Sequence, residues 1–346
     1  GPNPDPLPPP DPDPDPAPRL ANGPSVFHQN GNLQVIGEDG TGLRPVVQPG
    51  PDQATVSPDG RTLAYPWFGG TLRFRDMDGP GDRSVDLLAA HGVAPDDLVW
   101  LPDGRRAVFV GYVGRQAPFF YVWDFQADEL TRLALALPDE EIGTPAVSPD
   151  GQRLAFHVRT GPDDEDVFAL DLLDGGVVTV AASPGRDRNP TWSPDGTRIV
   201  FDSDRSGVFD IWAADAEGSD AVNLTDDPAQ DTDPSWSPDG EKIVFERLAP
   251  ASNTVLVVMG ADGSDPTTIT ASGALSLNPV WAPEADLGAR GELAVRIRTA
   301  GTPGTDQLLL ELDGRSAGSV GADDDEVLVV TAAPHVLHLA QIAPNC

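Results

Sequence analysis

Acidic residues recur along this 346-residue chain, singly or in pairs, each just ahead of a short apolar segment that predicts a β-strand. Carboxylate oxygens are the ligands that hard cations prefer, and Ca²⁺ takes roughly six to eight oxygens. If the segments converge in the fold, these carboxylates predict a calcium site, and a solvated acidic rim without a bound ion is the alternative. The candidate ligands are Asp52, Asp96, Asp97, Asp187, Asp231 and Asp233.

Hydrolytic chemistry has one candidate, the segment Gly314-Arg315-Ser316-Ala317-Gly318, which has the spacing of a nucleophile elbow. A working elbow leads from a strand into a helix, whereas residues 320–325 predict an acidic turn. The five histidines show no paired spacing typical of zinc ligands. The sequence therefore predicts a protein that is not an enzyme, with a hydrolase that uses Ser316 as the least favoured alternative.

The charge balance limits the partners. The chain has 55 acidic and 22 basic residues, a formal net charge of −33, so the phosphate backbone of a nucleic acid would be repelled. No apolar run reaches the roughly 18 residues that a membrane-spanning helix needs. Cys346 is the only cysteine, which excludes an internal disulfide and leaves a bond between chains open.

A turn sequence repeats along the chain and defines its structural unit. Proline presets φ, aspartate bonds the local backbone and glycine accepts a positive φ, so Pro-Asp-Gly predicts a tight hairpin. An apolar stretch precedes each turn, and β-branched and aromatic runs that predict three more strands follow it. At a spacing of 44 to 47 residues, this pattern predicts the four-stranded blade of an all-β propeller. The turns are Ser57–Gly60, Leu101–Gly104, Ser148–Gly151, Ser193–Gly196 and Ser237–Gly240, with a decayed sixth at Ala282–Glu284.

The unit at residues 190–225 carries Pro190, Trp192 to Gly196, Ile199 to Phe201, Asp210-Ile211 and Leu224-Thr225. In this order it resembles the repeat of the TolB-like propellers, which are built from PD40 (WD40-like) repeats. The resemblance covers roughly residues 25–343 and implies a propeller. It implies little about function, because the family includes binding proteins, assembly components and the non-catalytic propellers of peptidases. No segment matches the α/β domain that precedes the propeller in TolB.

Two domains are predicted: a Pro/Asp-rich tail at residues 1–24 and the propeller at residues 25–346. Seven blades are the preferred count. In that arrangement two strands within residues 326–339 combine with the N-terminal strands at residues 32–47 and close the ring. Six blades with extra edge strands is the alternative, and either count must place a surplus strand at residues 25–28.

Residues 1–18 contain ten prolines, which predict an extended polyproline II segment. A spacer that holds the propeller away from a surface is one interpretation. The preferred hypothesis is that the tail docks on a neighbouring copy and builds a secreted filament or tube, outside the cell or on its surface. The alternative is a monomeric, periplasmic TolB-like module that holds a protein or peptide at its channel mouth. The tail prolines are Pro2, Pro4, Pro6, Pro8, Pro9, Pro10, Pro12, Pro14, Pro16 and Pro18.

Overall fold

The computed structural model describes residues 22–283, except 30–31, 49, 52, 78–81, 115, 135–140, 250–252 and 271–275, and the backbone of five strands within residues 296–338. The chain divides into two compact units, Gly1–Ala285 and Asp286–Cys346. Within the described residues, no helix is both long and apolar enough to cross a membrane. The tail prolines and Asp52 lie outside the described residues.

The first unit contains six antiparallel four-stranded sheets among its described residues, one for each blade. A one-turn helix, α1 (Leu87–His91), joins blades 2 and 3. Blade 1 is β24 (Ser276–Pro283), β1 (Asn22–Gln29), β2 (Asn32–Ile36) and β3 (Arg44–Val47); blade 2 is β4 (Thr55–Val56), β5 (Thr62–Trp67), β6 (Thr71–Asp76) and β7 (Asp82–Asp86); blade 3 is β8 (Ala94–Trp100), β9 (Arg106–Tyr112), β10 (Phe119–Asp124) and β11 (Glu129–Arg132); blade 4 is β12 (Ile142–Val147), β13 (Arg153–Gly161), β14 (Asp164–Asp171) and β15 (Val177–Ala181); blade 5 is β16 (Asp187–Trp192), β17 (Arg198–Ser203), β18 (Asp210–Asp215) and β19 (Val222–Asn223); blade 6 is β20 (Asp231–Trp236), β21 (Lys242–Ala249), β22 (Asn253–Gly260) and β23 (Thr267–Thr268).

The ring closes in blade 1, where β1 pairs antiparallel with β24. The Trp281 indole donates a hydrogen bond to the Gly23 carbonyl oxygen at 3.0 Å. Glycine is required at position 23, because a Cβ there would lie 2.6 Å from the Pro283 carbonyl oxygen. Of the two blade counts, the structure therefore has six among its described residues, and the preference for seven is wrong. The strand that was predicted to be surplus at residues 25–28 lies in β1 and supplies the second strand of blade 1.

The turn repeat explains why each blade forms. The Ser193 hydroxyl donates to an Asp195 carboxylate oxygen at 2.6 Å and accepts the Arg198 amide at 2.9 Å. Gly196, the last turn residue, has a φ of 72°, which an L side chain rarely adopts. The same serine to aspartate bond occurs at Ser57, Ser148 and Ser237. The turn sequence therefore fixes the hairpin between the first and second strands of these blades.

The core lies between neighbouring blades. Seven residues after each intact turn proline is a phenylalanine or tyrosine that is at most 4% exposed. The tryptophans that precede the turns are 5–7% exposed. These side chains pack against the next blade, so each blade is stabilised by its neighbours. The aromatic residues are Tyr65, Phe109, Phe156, Phe201 and Phe245, with Trp100, Trp192, Trp236 and Trp281.

The second unit has a three-stranded antiparallel sheet and a separate hairpin among its described residues. Ser316 pairs with Glu311 inside a strand, so it does not lie at a strand-to-helix turn. This placement removes the geometric basis for a nucleophile elbow. The strands are β25 (Arg296–Ala300), β26 (Gln307–Leu312), β27 (Arg315–Gly321), β28 (Val329–Ala332) and β29 (His335–His338).

Candidate functional site in the central channel

A cavity of about 490 Å³ is lined by the first strands of all six blades. Each first strand begins at one end of this channel and reaches a turn proline at the other end, in a Pro-Asp-Gly turn in five blades and at Pro283 in blade 1. The turn prolines from the six blades line that second end, here called the proline ring. Its members are Pro58, Pro102, Pro149, Pro194, Pro238 and Pro283.

The opposite end carries one polar residue from each blade, five positions before the turn proline. Five of these six residues have a positive φ, from 34° to 53°, and the pairing register shifts beside them. A β-bulge with this conformation re-aims a side chain, and its strain marks a candidate functional position. Thr144 is the clearest case, because its branched Cβ disfavours a φ of 43°. The set, here called the polar ring, is Gln53, Asp97, Thr144, Asn189, Asp233 and Asn278.

Hydrogen bonds connect the polar ring from blade to blade. The Gln53 side chain donates to Asp97, and the Thr144 amide approaches an Asp97 carboxylate oxygen at 3.4 Å. The Thr144 hydroxyl then donates to the Asn189 side-chain oxygen at 2.9 Å. The Asn189 amide group donates to Asp202 at 3.1 Å. The ring is thus a connected network across blades 2 to 5.

Two carboxylates stand behind the polar ring, at the end of the second strands of blades 5 and 6. Asp202 is fully buried and accepts hydrogen bonds at 3.1 Å from the Arg188 guanidinium and the Asp233 amide. Burial, and then the Asp233 carboxylate, raise the pKa of Asp202 to about 7. Glu246 accepts the Asn278 amide, and burial followed by Asp233 raises its pKa to about 9. Burial also raises the pKa of Asp233 itself. One guanidinium therefore faces three crowded carboxyl groups.

His157 occupies the position in blade 4 that Asp202 and Glu246 occupy in blades 5 and 6. It directly follows Phe156, the buried phenylalanine of the repeat. Burial, and then Arg188, lower the pKa of His157 to about 4, so the imidazole is neutral near pH 7. The residue eight positions after the turn proline is thus titratable in three blades. Asp202, Glu246 and His157 were not among the site residues predicted from the sequence. The available signal was a polar residue that follows a buried phenylalanine within an otherwise apolar strand.

The structure separates the carboxylates that the sequence grouped as calcium ligands. Asp97 and Asp233 both line the polar ring, and Asp96 is exposed beside Asp97. Burial, and then Asp96, raise the pKa of Asp97 to about 6. In the described part of the chain, no group of three or more His, Cys, Asp or Glu side chains is placed to hold a metal ion. Calcium binding stays a prediction, which calorimetric titration with Ca²⁺ tests.

Asp187 and Asp231 precede the ring positions by two residues and already have cationic partners. The buried Asp187 carboxylate accepts hydrogen bonds from Arg205 at 2.8 Å and Ser203 at 2.6 Å. Arg247 contacts the buried Asp231 carboxylate at 2.7 and 2.6 Å. Both carboxylates therefore hold the second strand of their own blade rather than face the channel.

Exposed apolar side chains surround the polar-ring end of the channel. This end also carries the connections from second to third strands and the helix α1, because the second strands run opposite to the first. Phe68 is 86% exposed in the connection between β5 and β6. Among the described residues, the other large apolar side chains exposed at this end are Leu88, Tyr112, Val208 and Leu248. The face therefore combines a polar centre with an apolar surround.

The matches to known proteins agree with this architecture. A family model described as the TolB beta propeller domain (PD40) matches residues 70–287. An uncharacterized protein of Agrobacterium fabrum is 28% identical over 164 residues, 45% of this chain and 52% of that protein. The Tol-Pal system protein TolB of Nitratidesulfovibrio vulgaris is 28% identical over 151 residues, 41% of this chain and 33% of that protein. The match thus spans about half of the first relative and a third of the second.

The solved structure of TolB from Acinetobacter baumannii superposes with a TM-score of 0.63. It is 20% identical in sequence, and the superposition covers 75% of this chain and 66% of that one. At this identity the likeness concerns the fold.

Proposed function

Because the chain belongs to the TolB beta propeller domain family, we propose that it is a non-catalytic binding module that holds a protein or peptide on the polar-ring face. The resemblance to the Tol-Pal system protein TolB supports this function and, with it, a periplasmic location.

The observation that carries the proposal is the composition of the polar-ring face. A channel of about 490 Å³ opens among strained polar residues, and exposed apolar side chains surround it. An apolar surround suits the buried contacts of a partner, and polar groups at the centre fix the orientation of an inserted segment. Phe68 is 86% exposed, so its ring is accessible to a partner.

The chemistry of the ring favours binding over catalysis. A hydroxyl nucleophile needs a base within hydrogen-bond reach. The Thr144 hydroxyl instead donates to the amide oxygen of Asn189, which is no base. The pKa of His157, lowered to about 4 by burial and then by Arg188, makes it a poor base near pH 7.

Site-specific photocrosslinking tests the proposal. A photoreactive amino acid is placed at Phe68, and the protein is irradiated in its native host. The matched control is Leu173, which is 79% exposed in the turn between β14 and β15 at the proline-ring end. We expect a discrete protein adduct from position 68 and none from position 173. Equal adducts from both positions, or none from position 68, would contradict binding on this face.

Assembly into a filament through residues 1–18 stays a separate prediction. The names of the matched relatives give it no support, and residues 1–18 lie outside the described residues. Light scattering on the full chain distinguishes a polymer from a monomer.

A further inference from the structure

A second cavity, of about 370 Å³, lies between blades 1 and 2, at their outer strands and away from the channel. It is here called the outer cleft. Blade 1 contributes residues 45–48 at the end of β3. Blade 2 contributes Tyr65, Trp67, Arg73, Arg75 and Asp82 from three adjacent strands. The outer cleft includes no residue of the polar ring, and its nearest link to the polar-ring face is Trp67, whose ring centroid lies 5.4 Å from that of Phe68.

The wall from blade 2 holds two aromatic rings and a cation. Tyr65 is buried, at 4% exposed, and the partly exposed Trp67 provides the aromatic surface of the cleft. Tyr65 and Trp67 alternate along β5, so both face blade 1, and their rings meet edge to face with centroids 6.1 Å apart. The Arg73 guanidinium carbon lies 4.3 Å from the Trp67 ring centroid, in a cation–π contact, and Arg73 also bonds the Tyr65 hydroxyl. Among the described residues, Arg73 has no carboxylate within ion-pair distance. Its remaining donors are thus available to a ligand.

A second guanidinium completes the positive side of the cleft. Arg75 lies two residues along β6 and contacts both Asp82 carboxylate oxygens, at 2.9 and 2.8 Å. Side chains of Arg75 and Asp82 are 32% and 62% exposed, so this pair remains open to a competing carboxylate. In a chain of net charge −33, two neighbouring arginines in a cavity whose surface is mostly polar favour an acidic ligand.

We propose that the outer cleft binds the acidic polyproline segment of its own chain, residues 1–18. Polyproline II segments bind to aromatic grooves because their shape is preformed and binding costs little conformational entropy. The prolines at positions 6, 9 and 12 recur every third residue, which places them on one face of such a helix. The segment carries four aspartates and no basic residue, which complements the two guanidiniums. The aspartates are Asp5, Asp11, Asp13 and Asp15.

The connection to the propeller favours binding within one chain. The segment leads into β1, which begins at Asn22 in blade 1, the same blade whose β3 lines the cleft. β1 and β3 are two strands apart in the sheet, about 10 Å, and Asn22 lies five residues before Phe27, which is level with Pro45, so the start of β1 is roughly 20 Å from the cleft. Eighteen residues in polyproline II geometry span about 56 Å, so the segment is long enough to reach the cleft. A short tether gives a local concentration in the millimolar range, well above that of a second copy.

The test attaches a bimane fluorophore to the tail of the full chain, since a tryptophan side chain quenches bimane on contact. Cys346, the only native cysteine, is changed to serine, and the label is placed in turn at Leu7→Cys and Ala17→Cys. Quenching that depends on Trp67 is measured by comparison with Trp67→Phe. Hydrogen exchange of β5 to β7 is measured on the same proteins without the label.

The arginine dependence uses a matched pair of variants. Arg73→Gln with Arg75→Gln removes the cations of the cleft. Arg83→Gln removes a cation from the opposite face of the same blade, where the Arg83 guanidinium carbon lies 4.5 Å from the Phe74 ring centroid. We expect at least a twofold rise in bimane emission and faster exchange of β5 to β7 for the cleft variant. Arg83→Gln should change neither.

Three results would overturn the proposal. The first is emission from both labels that is unchanged in Trp67→Phe, together with hydrogen exchange that is unchanged in the cleft variant. The second is quenching that disappears on tenfold dilution. The third is quenching of a labelled Trp67→Phe chain by added unlabelled chain, which would place the tail on a second copy. Quenching that is independent of concentration and sensitive to Arg73 and Arg75 supports it.

Discussion

Replacing Glu246 by glutamine is expected to prevent much of the fall in the free energy of unfolding that the propeller undergoes as the pH rises. Burial and then Asp233 raise the pKa of Glu246 from 4.5 to about 9 in the folded protein. A raised pKa means that the folded state keeps a proton that the unfolded state releases above about pH 4.5, so the free energy of unfolding falls as the pH rises from there to about 9. Each pH unit in this window costs about 1.4 kcal/mol. Between pH 5 and pH 8 the loss is therefore about 4 kcal/mol from this group.

Glutamine has the shape of a protonated glutamate, and its carbonyl oxygen can still accept the Asn278 amide. The assay is urea unfolding followed by tryptophan fluorescence at pH 5, 6, 7 and 8, for wild type and Glu246→Gln. We expect similar free energies of unfolding at pH 5 and a difference of about 4 kcal/mol in favour of the variant at pH 8. The control is Glu129→Gln, an exposed acid on β11, which should run parallel to wild type. Parallel pH profiles for wild type and Glu246→Gln would refute the reasoning.

Three further predictions concern buried charges and a close approach between blades. Arg247→Met leaves the buried Asp231 carboxylate without its guanidinium, so urea unfolding should show a loss of about 3–5 kcal/mol, and a loss below about 1 kcal/mol would contradict this role. Gly218→Ala places a Cβ 2.3 Å from a backbone carbonyl oxygen of β15 in blade 4, so the Tm of this variant should fall well below that of Gly175→Ala. Gly175 is the control because it has a similar positive φ but open space around it, and equal Tm values for the two variants would contradict the clash. Burial and then Asp96 raise the pKa of Asp97 to about 6, so the free energy of unfolding of wild type should fall by about 3 kcal/mol between pH 4 and pH 7, a fall that Asp97→Asn should not show. Equal falls for the two proteins in urea unfolding would contradict this prediction.

The blades were predictable because their determinants are local. A serine, a proline, an aspartate and a glycine in succession specify the hairpin, and the phenylalanine seven residues after the proline specifies the buried face. The prediction that N-terminal strands close the ring by pairing with strands from the far end of the sequence is confirmed, but the partner of β1 is β24 and not a strand within residues 326–339. The decayed turn at Ala282 to Glu284 gave no sign that the next strand comes from the N-terminal end.

The channel site was only partly predictable. The positions before each first strand identified Asp97 and Asp233, which line the polar ring. The same pattern also selected Asp187 and Asp231, because a sequence does not show that an arginine 16 or 18 residues later will neutralise a carboxylate. Asp202 was not among the predicted site residues, and the structure places it inside β17, where burial, and then the Asp233 carboxylate, raise its pKa to about 7.

The pairing of β1 with β24 also determines how the ring responds to force. Asn22 lies opposite Pro283, so the beginning of one strand and the end of the other meet at the same end of the blade. Tension that separates these two residues loads the hydrogen bonds one after another, as in unzipping, instead of loading them all at once in shear. A partner that pulls on the chain ahead of Asn22 against a fixed Pro283 would open the propeller at this pair of strands first. The force needed would be lower than the force that opens another blade, because the four strands of the other blades are joined by short connections.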